Sequence, residues 1–332
     1  MSETAFKAMV VKELADKTFE RSIETKSIDQ LPVGEVLVKV MYSSLNYKDA
    51  LSASGNRGVT RSYPHTPGID CSGVVEATAS EDFQVGDKVI VTSYDLGMNT
   101  SGGFGQYVRV PGEWVVPLPE GLTLRESMVY GTAGFTAAMS VFALTQKIPV
   151  ERGEILVTGA TGGVGTLAVA LLARLGYQVA GVSGKPDALN FLQQFGVKKV
   201  ITREVATEGN ERPVLKPQWA GVVDTVGGDI LAAAIKSTDA QGVVTCCGNV
   251  ASPDLPINVF PFILRGVSLA GIDSQNCPMA HRRMIWKKMA TEWKPEGLEK
   301  LCREVTLDGL GAEIDLILQG GQTGRVIVNM AE

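Results

Sequence analysis

Short apolar segments alternate with glycine and proline turns over residues 1–125. Many short strands with frequent turn signals are typical of a small barrel-like β domain. The predicted strands of this part include Glu35–Tyr42, Cys71–Ala77, Lys88–Thr92 and Tyr107–Val110. Pro117-Leu118-Pro119 marks a boundary, after which Thr123–Phe142 is predicted to be largely helical.

The pattern changes near Glu154, where apolar strands begin to alternate with helices. This alternation predicts a parallel, doubly wound sheet. Its predicted strands are Glu154–Thr158, Gln178–Val182, Lys199–Ile201, Ala220–Asp224, Gly242–Cys246 and Ser268–Gly271. The predicted helices are Gly163–Leu175, Pro186–Phe195, Met279–Lys288 and Leu298–Val305, and a closing strand is predicted over Arg325–Asn329.

The composition narrows the class of protein. A chain of 332 residues indicates two domains, and 45% apolar with 20% charged residues is ordinary for a compact enzyme. The net charge of -5 offers no attraction to nucleic acid or to an anionic membrane. The segment Met1–Glu13 is charged throughout, unlike a signal peptide, and no uninterrupted apolar stretch reaches membrane-span length. We therefore expect a cytoplasmic enzyme with a small-molecule substrate.

The cysteines and histidines are too few and too scattered for a disulfide framework or a metal site. The chain has five cysteines, two histidines and no Cys-x-x-Cys pair. An odd number of irregularly spaced cysteines is typical of reduced thiols.

A glycine-rich turn, Thr158–Gly165, lies between a predicted apolar strand and a predicted helix. In that setting glycines permit a tight turn and let the backbone approach a pyrophosphate, while the N–H groups that open the helix face the phosphates. The turn therefore predicts a dinucleotide site, although a glycine-rich turn without a ligand is the alternative. The cofactor-binding residues assigned here are Gly162, Gly163, Val164, Gly165, Thr166 and Leu167.

The end of the second strand of this unit favours NADPH over NADH. NAD-binding versions place an acidic residue there to bond the ribose hydroxyls. Here the strand continues into Ser183, Gly184 and Lys185, with no carboxylate, and Arg203 follows the third strand. A hydroxyl, an ammonium and a guanidinium suit a 2′-phosphate. Lys185 and Arg203 as ordinary solvated charges remain the alternative.

With these motifs in order, the chain resembles the medium-chain dehydrogenase/reductases of the quinone-oxidoreductase type, and within them the acrylyl-CoA reductase (YhdH-like) family. The resemblance covers residues 6–328, nearly the whole chain. The motifs that carry it are Ser44–Ala50, Pro67–Asp70 with Gly73, Gly102–Tyr107, Gly131–Thr136, Asp224–Gly227 and Pro261–Arg265.

The resemblance implies a fold and an assembly. A GroES-like β-barrel catalytic domain would comprise residues 1–128 and 275–332, and a Rossmann NADPH-binding domain residues 129–274. Nicotinamide and substrate would meet in a cleft between them, and two chains would form a homodimer through sheet edges. The resemblance also places four residues beside the dinucleotide, namely Asn249, Ile263, Ser274 and Gly320.

Zinc-dependent members of the family carry a cysteine at the position of Asn46 and Gly-His-Glu at the position of Gly68–Asp70. They also have a cysteine cluster before the position of Gly102. A catalytic zinc needs three protein ligands. Because two of the expected positions hold Asn46 and Ile69, we expect no metal.

Reduction of an α,β-unsaturated thioester leaves negative charge on an enolate-like oxygen and requires a proton at the α-carbon. Tyr47, which the resemblance places in the cleft wall, is predicted to contact the cofactor and to donate to the substrate, and packing against the nicotinamide alone is the alternative. Asn46 offers a second catalytic donor, and a helix cap is an equally supported alternative. We expect Asp70 to accept backbone N–H groups in the turn after Pro67-Gly68, and Lys48 with Asp49 to form a minor local charge pair.

Coenzyme A carries phosphates, so a reductase of its thioesters needs basic residues near the substrate. Arg57 and Arg61, in the loop Ser54–Tyr63, and Arg325 are the predicted substrate-binding residues. Arg282 and Arg283 are further candidates, with a solvated helix face as the alternative.

Three functions follow from these observations. NADPH-dependent reduction of acryloyl-CoA to propanoyl-CoA is favoured. A reductase of quinones or free enones with the same hydride chemistry is the second possibility, and a non-catalytic NADPH-binding structural or interaction protein is the third.

Overall fold

A computed structural model describes residues 4–331, which form fifteen strands and nine α-helices. The strands are β1 (Ala5–Glu13), β2 (Phe19–Ser27), β3 (Val36–Ser44), β4 (Asp70–Thr78), β5 (Lys88–Thr92), β6 (Tyr107–Val110), β7 (Val115–Pro117), β8 (Ile155–Val157), β9 (Val179–Val182), β10 (Lys199–Ile201), β11 (Trp219–Asp224), β12 (Thr238–Cys246), β13 (Ser268–Gly271), β14 (Cys302–Thr306) and β15 (Arg325–Asn329). The helices are α1 (Tyr47–Ala53), α2 (Leu124–Thr145), α3 (Gly163–Arg174), α4 (Ala188–Gln193), α5 (Arg203–Ala206), α6 (Gly228–Lys236), α7 (Phe260–Arg265), α8 (Met279–Ala290) and α9 (Leu310–Leu318).

The chain divides into two compact units. The first comprises residues 1–132, 275–290 and 297–332, and the second comprises residues 133–274 and 291–296. The domain bounds given by the resemblance, residues 1–128 with 275–332 and residues 129–274, stay a prediction. Residues 1–3 and 332 of the first domain lie outside the described residues.

The first unit is built on a seven-stranded sheet. Six strands follow the order β14-β15-β3-β4-β5-β7, and β6 also pairs with β3. All pairs are antiparallel except β14 with β15, and β1 and β2 form a separate antiparallel pair. The valines of β3, β5 and β15 bury their side chains in one apolar cluster, and this burial is the main force that holds the unit together.

The second unit contains the predicted parallel sheet, which is confirmed. Its order is β10-β9-β8-β11-β12-β13, and every pair is parallel. Counted from β8, this is the order 3-2-1-4-5-6 of a dinucleotide-binding fold, with the reversal between β8 and β11. Ligands bind such sheets outside the carboxyl ends of the strands at that reversal.

One expectation from the sequence was wrong, and one strand pair was not among the predicted segments. Leu298–Val305 is not one helix, because only residues 298–301 form a short 3₁₀ turn and β14 follows at once. β14 pairs in parallel with β15, and this long-range pairing overrides the local helical preference. The β1–β2 pair, with nine paired residues in each strand, was not predicted at all.

The helix α2 is long and apolar enough to cross a membrane by length and composition. However, 72% of its most apolar window is buried inside the protein, as in the core helix of a soluble protein. Its backbone breaks at Gly131, where φ is 52° and ψ is -156°.

Candidate active site

The glycine-rich turn follows β8 and opens α3, as predicted. Gly159 has φ 58°, in the left-handed region that favours glycine. A Cβ on Gly165 would collide with the Gly159 carbonyl oxygen, so the turn closes only with glycine there. Helix α3 begins at Gly163 without a side-chain cap at Gly162. The start of α3 can therefore receive an anion through backbone N–H groups and the helix dipole.

The remaining assigned residues of the turn differ in what they can offer. Thr166 and Leu167 are fully buried, and the Thr166 hydroxyl donates to the Ala160 carbonyl at 3.1 Å. The Thr166 N–H donates to the Gly162 carbonyl at 2.9 Å. Thr166 and Leu167 therefore stabilise the turn from within α3, whereas Gly162 to Gly165 form the part of the turn that leads into the helix.

The four residues predicted to distinguish NADPH from NADH lie together. The Ser183 hydroxyl lies 3.0 Å from that of Thr161 in the glycine turn, and it accepts the Lys185 N–H at 3.2 Å. A Cβ on Gly184 would lie 3.0 Å from the Arg203 Nε, which shows that the Arg203 guanidinium packs against the Gly184 backbone. Arg203 is exposed, so its guanidinium remains accessible to an anion.

The resemblance-based cofactor residues are spread more widely. Asn249 and Ser274 follow the carboxyl ends of β12 and β13, on the edge of the sheet that also carries the glycine turn. The Ser274 hydroxyl accepts from that of Thr136 at 2.7 Å. Ile263 lies on α7 with 68% of its surface exposed, and Gly320 lies after α9 in the first unit.

Asp224, at the carboxyl end of β11, holds the neighbouring turn in shape. Its buried carboxylate accepts the Thr158 hydroxyl at 2.7 Å and the Gly227 N–H at 2.9 Å. Burial raises the pKa of Asp224, and the two hydrogen bonds oppose that rise.

A second cluster, in the first unit, gathers four residues from three separate segments of the chain. Asn46 precedes α1, Asp49 lies in its first turn, Asp70 begins β4 and Arg325 begins β15. Arg325 is 1% exposed, and Asp49 and Asp70 are fully buried. We call these four residues the buried charge cluster.

Asp70 is the most heavily bonded group of the buried charge cluster. Its carboxylate accepts from the Ser44 hydroxyl and the Asn46 amide, each at 2.7 Å. It also accepts the Thr132 N–H at 2.9 Å and the Thr132 hydroxyl at 2.5 Å. Asp70 thus has the structural role that was predicted, but its backbone partner is Thr132 and not the turn after Pro67-Gly68.

Gly131 allows this contact with Thr132. A Cβ at Gly131 would collide with the Asp70 carboxylate and the Ser44 hydroxyl, and it would lie 2.9 Å from Arg325 Nη2. The break in α2 at a glycine therefore brings a backbone N–H to a buried carboxylate.

Asn46 does not have the free amide that a catalytic donor needs. Its Nδ2 donates to Asp70 at 2.7 Å and to Asp49 at 3.2 Å, and its Oδ1 accepts from Arg325 at 3.2 Å. Its backbone N–H donates to Asp49 at 2.7 Å, and Asn46 is the N-cap residue of α1. The structure places Asn46 at the N-cap of α1, as the helix-cap alternative expects, and its role as a donor to substrate stays a prediction.

Arg325 is likewise not placed to contact substrate. Its guanidinium donates to the carbonyls of Val129 and Leu45, to Asn46 Oδ1 and to the Ser44 hydroxyl, at 2.8–3.2 Å. With 1% of its surface exposed, it has no face for a phosphate, so the predicted direct contact is wrong and Arg325 braces the buried charge cluster instead.

Tyr47 occupies the first position of α1, next to the buried charge cluster. Its side chain is 41% exposed, and its hydroxyl makes no hydrogen bond to any residue from 4 to 331. It is therefore the predicted catalytic residue whose donor remains open to a ligand.

The predicted substrate arginines of the loop differ from each other. Arg57 donates to Glu13 at 2.6 Å and to the Arg61 carbonyl at 2.7 Å, and its guanidinium lies 5.1 Å from the Tyr63 ring centre. Arg61 is exposed, its backbone N–H donates to Asn99 at 3.2 Å, and within residues 4–331 its guanidinium makes no hydrogen bond. The guanidinium of Arg61 is thus the freer of the two.

The structure also contradicts the prediction that Arg282 binds substrate. It is fully buried, donates to the Thr92 carbonyl and hydroxyl at 3.1 and 3.0 Å, and lies 4.4 Å from the Tyr94 ring centre. It is therefore neither a substrate-binding residue nor part of a solvated helix face.

Zinc does not fit the positions where related enzymes hold it. Ile69 offers no ligand, the Asn46 amide oxygen already accepts from Arg325, and the Asp70 carboxylate is saturated with hydrogen bonds. Across residues 4–331, no group of three His, Cys, Asp or Glu side chains is arranged to hold a metal ion. No step of the chemistry is assigned to zinc.

Comparison with known proteins places these features in a family. The alcohol dehydrogenase GroES-like domain model matches residues 32–120, and the zinc-binding dehydrogenase model matches residues 163–292. The acrylyl-CoA reductase AcuI of Ruegeria pomeroyi is 43% identical over 331 residues, which cover 98% of this chain and 99% of that protein.

Two crystal structures share the fold over nearly the whole chain. Bacillus subtilis YhfP, which carries the name of a quinone oxidoreductase and was solved with NAD bound, is 44% identical with a TM-score of 0.95, covering 98% of this chain and 99% of that one. The YhdH oxidoreductase of Salmonella enterica, in complex with NADP, is 40% identical with a TM-score of 0.94, covering 97% and 99%. The predicted fold class, a Rossmann sheet with a GroES-like β domain, is confirmed, and the chain belongs to the medium-chain dehydrogenase/reductase family of the quinone-oxidoreductase type, together with the acrylyl-CoA reductases.

Proposed function

We propose that this oxidoreductase uses NADPH to reduce the double bond of acryloyl-CoA, forming propanoyl-CoA. The observation that carries the proposal is the full-length relationship to an acrylyl-CoA reductase at 43% identity. The cytoplasm, where NADPH and acyl-CoA thioesters are found together, is the proposed location.

The choice of NADPH is supported by the group of Ser183, Lys185 and Arg203 beside the glycine turn. Two cations and a hydroxyl suit the charge and the hydrogen-bonding capacity of a 2′-phosphate. The YhdH relative was solved with NADP, although the YhfP relative was solved with NAD.

In the proposed reaction, NADPH when bound supplies a hydride to the β-carbon of the acryloyl group. The π bond between the α- and β-carbons breaks, its electron pair forms a new π bond from the α-carbon to the carbonyl carbon, and the carbonyl π pair moves onto the thioester oxygen. We propose that the Tyr47 hydroxyl donates a hydrogen bond to this oxygen and so stabilises the charge that develops there. A proton from solvent or a protein group then reaches the α-carbon and completes the product. Arg61 is the proposed contact for a coenzyme A phosphate.

A quinone reductase is the second candidate, because YhfP carries that name and is 44% identical over 98% of this chain. The two functions separate when kcat/KM is measured with NADPH for acryloyl-CoA and for 1,4-benzoquinone. The proposal expects acryloyl-CoA to be the better substrate, and a thousandfold preference for the quinone would overturn it.

We also propose that two copies of the chain form a homodimer along β13. This strand is the edge of the parallel sheet, and the helix α7 before it exposes Phe260, Ile263 and Leu264 by 42%, 68% and 66%. An exposed edge strand beside exposed apolar side chains is a surface that a second copy would cover. Sedimentation equilibrium of the wild type and of Leu264→Asp tests this. We expect a dimer that the variant converts to monomer, and a monomeric wild type would contradict it.

A further inference from the structure

Asp49 is a buried carboxylate for which the sequence predicts only a minor charge pair with Lys48. Its side chain is fully buried in the first turn of α1. One oxygen, Oδ2, accepts the Asn46 N–H at 2.7 Å and the Asn46 amide at 3.2 Å. The other oxygen, Oδ1, accepts the Ile69 N–H at 2.7 Å. Asp49 therefore ties the start of α1 to the residue before β4.

Tyr47 depends on this tie for its position. It is the first residue of α1, and within residues 4–331 its hydroxyl bonds to no protein group that would fix it. The backbone on either side of it is held instead, through Asn46 before it and Asp49 two positions after it. Asp49 therefore holds the backbone around Tyr47 without contacting the Tyr47 hydroxyl.

Burying the ionised carboxylate of Asp49 costs more free energy than capping a helix requires. Burial, and after it the neighbouring charge of Asp70, raise the pKa of Asp49 to about 7, although the hydrogen bonds from Asn46 and Ile69 oppose this rise. Arg325 is the buried cation of the cluster, and its one positive charge interacts with the carboxylates of both Asp70 and Asp49. An exposed Ser or Asp would cap a helix without this penalty. The three N–H groups that point at Asp49 are best accepted by its ionised form.

We propose that Asp49 is a positioning residue for the reduction, holding Tyr47 where its hydroxyl reaches the thioester oxygen. This inference rests on the proposed function for the identity of the substrate. It assigns Asp49 no contact with substrate or cofactor.

A double-mutant cycle of Asp49→Asn and Tyr47→Phe tests the proposal, with kcat and the KM for acryloyl-CoA and for NADPH measured separately. We expect Asp49→Asn to lower kcat about tenfold or more, because a small misplacement of a catalytic group has effects of this size. The KM for NADPH should stay within about twofold. Because Asp49 acts through Tyr47, the double variant should have the kcat of Tyr47→Phe within about twofold.

Ser52→Ala is the matched control. Ser52 is buried near the other end of the same helix, and its hydroxyl bonds to that of Thr60 at 2.6 Å and to no member of the buried charge cluster. This variant loses a buried hydrogen bond and some thermal stability, but we expect its kcat to stay within about threefold of the wild type. If Asp49→Asn does not fold, as judged by circular dichroism, Asp49→Glu replaces it in the cycle, since it keeps the charge and displaces the carboxylate.

Two results would overturn the inference. One is a kcat for Asp49→Asn no lower than that of Ser52→Ala, and the other is a double variant whose loss equals the product of the two single losses. A wild type that does not oxidise NADPH with acryloyl-CoA would instead refute the proposed substrate. The cycle would then be run with 1,4-benzoquinone, where the same non-additivity supports the positioning role and additivity overturns it.

Discussion

The Asn46 amide nitrogen lies 2.7 Å from an Asp70 carboxylate oxygen and 3.2 Å from an oxygen of Asp49. One neutral side chain thus donates to two buried carboxylates, while its own oxygen accepts from Arg325 at 3.2 Å. The position that holds a zinc ligand in related dehydrogenases serves here as a spacer between like charges. The predictions about stability below follow from this arrangement.

Arg325→Met should destabilise the protein by about 3–5 kcal/mol, because it removes the cation of a buried ion pair and leaves the carboxylates behind. Arg325 Nη2 lies 3.9 Å from Asp70, and both side chains are at most 1% exposed. Urea unfolding measures the loss. The control is Arg57→Met, whose exposed ion pair with Glu13 should contribute less than about 1 kcal/mol. Equal losses in the two variants would contradict the account.

Gly131→Ala should destabilise far more than an ordinary glycine substitution. Its Cβ would meet the Asp70 carboxylate, the Ser44 hydroxyl and Arg325, in addition to the strain of a positive φ. Gly86→Ala is the control, because Gly86 also has a positive φ (97°) but a Cβ there meets nothing within 4 Å. Thermal unfolding should separate the two, and similar midpoints would show that the collision at Gly131 is relieved cheaply.

Asp49 should make stability depend on pH in a defined direction. Its pKa is about 7 in the folded protein, against an ordinary value of 3.8. Between these values the folded state holds a proton that the unfolded state has lost. The contribution to stability is therefore complete below about pH 4 and disappears as the pH rises through about 7.

Asp49→Asn has no such proton to lose. Between pH 5 and pH 8 the wild type should lose up to about 3 kcal/mol of unfolding free energy relative to the variant, at roughly 1.4 kcal/mol per pH unit over the titrating range. Urea titrations at the two pH values measure this difference. If the two proteins change in parallel, Asp49 does not titrate in this range.

Lys185→Glu should weaken NADPH binding at least tenfold more than NADH binding, because a carboxylate repels the 2′-phosphate and leaves the ribose hydroxyls of NADH unaffected. Quenching of cofactor fluorescence gives both dissociation constants. Lys198→Glu makes the same charge change at an exposed site between α4 and β10, so it controls for the general field. Equal weakening of both cofactors by Lys185→Glu would show that Lys185 does not recognise the phosphate.

The parallel sheet and its glycine turn could be predicted from the sequence because their signals are local. Strand and helix periods alternate over a few residues, and Gly159 and Gly165 lie in one continuous turn. The proximity of Ser183 to Arg203 also follows from topology, since each comes at or just after the carboxyl end of neighbouring strands β9 and β10.

The buried charge cluster could not be predicted in the same way. Arg325 reaches Asn46 across 279 positions of sequence, and Asp70 reaches Thr132 across 62. A single sequence does not indicate which charges will be buried together, so the sequence predicts a substrate contact for Arg325 and a minor local charge pair with Lys48 for Asp49. The strand β14 was missed for a related reason, because only its pairing with β15 stabilises it.

The most direct test of the central claim follows the hydride. The purified protein is incubated with acryloyl-CoA and NADPH that carries deuterium at the transferred position of C4, and the product is analysed by mass spectrometry and NMR. The account predicts propanoyl-CoA with one deuterium, located on the β-carbon, and none on the α-carbon. Deuterium on the α-carbon, product without deuterium, or no propanoyl-CoA at all would contradict it.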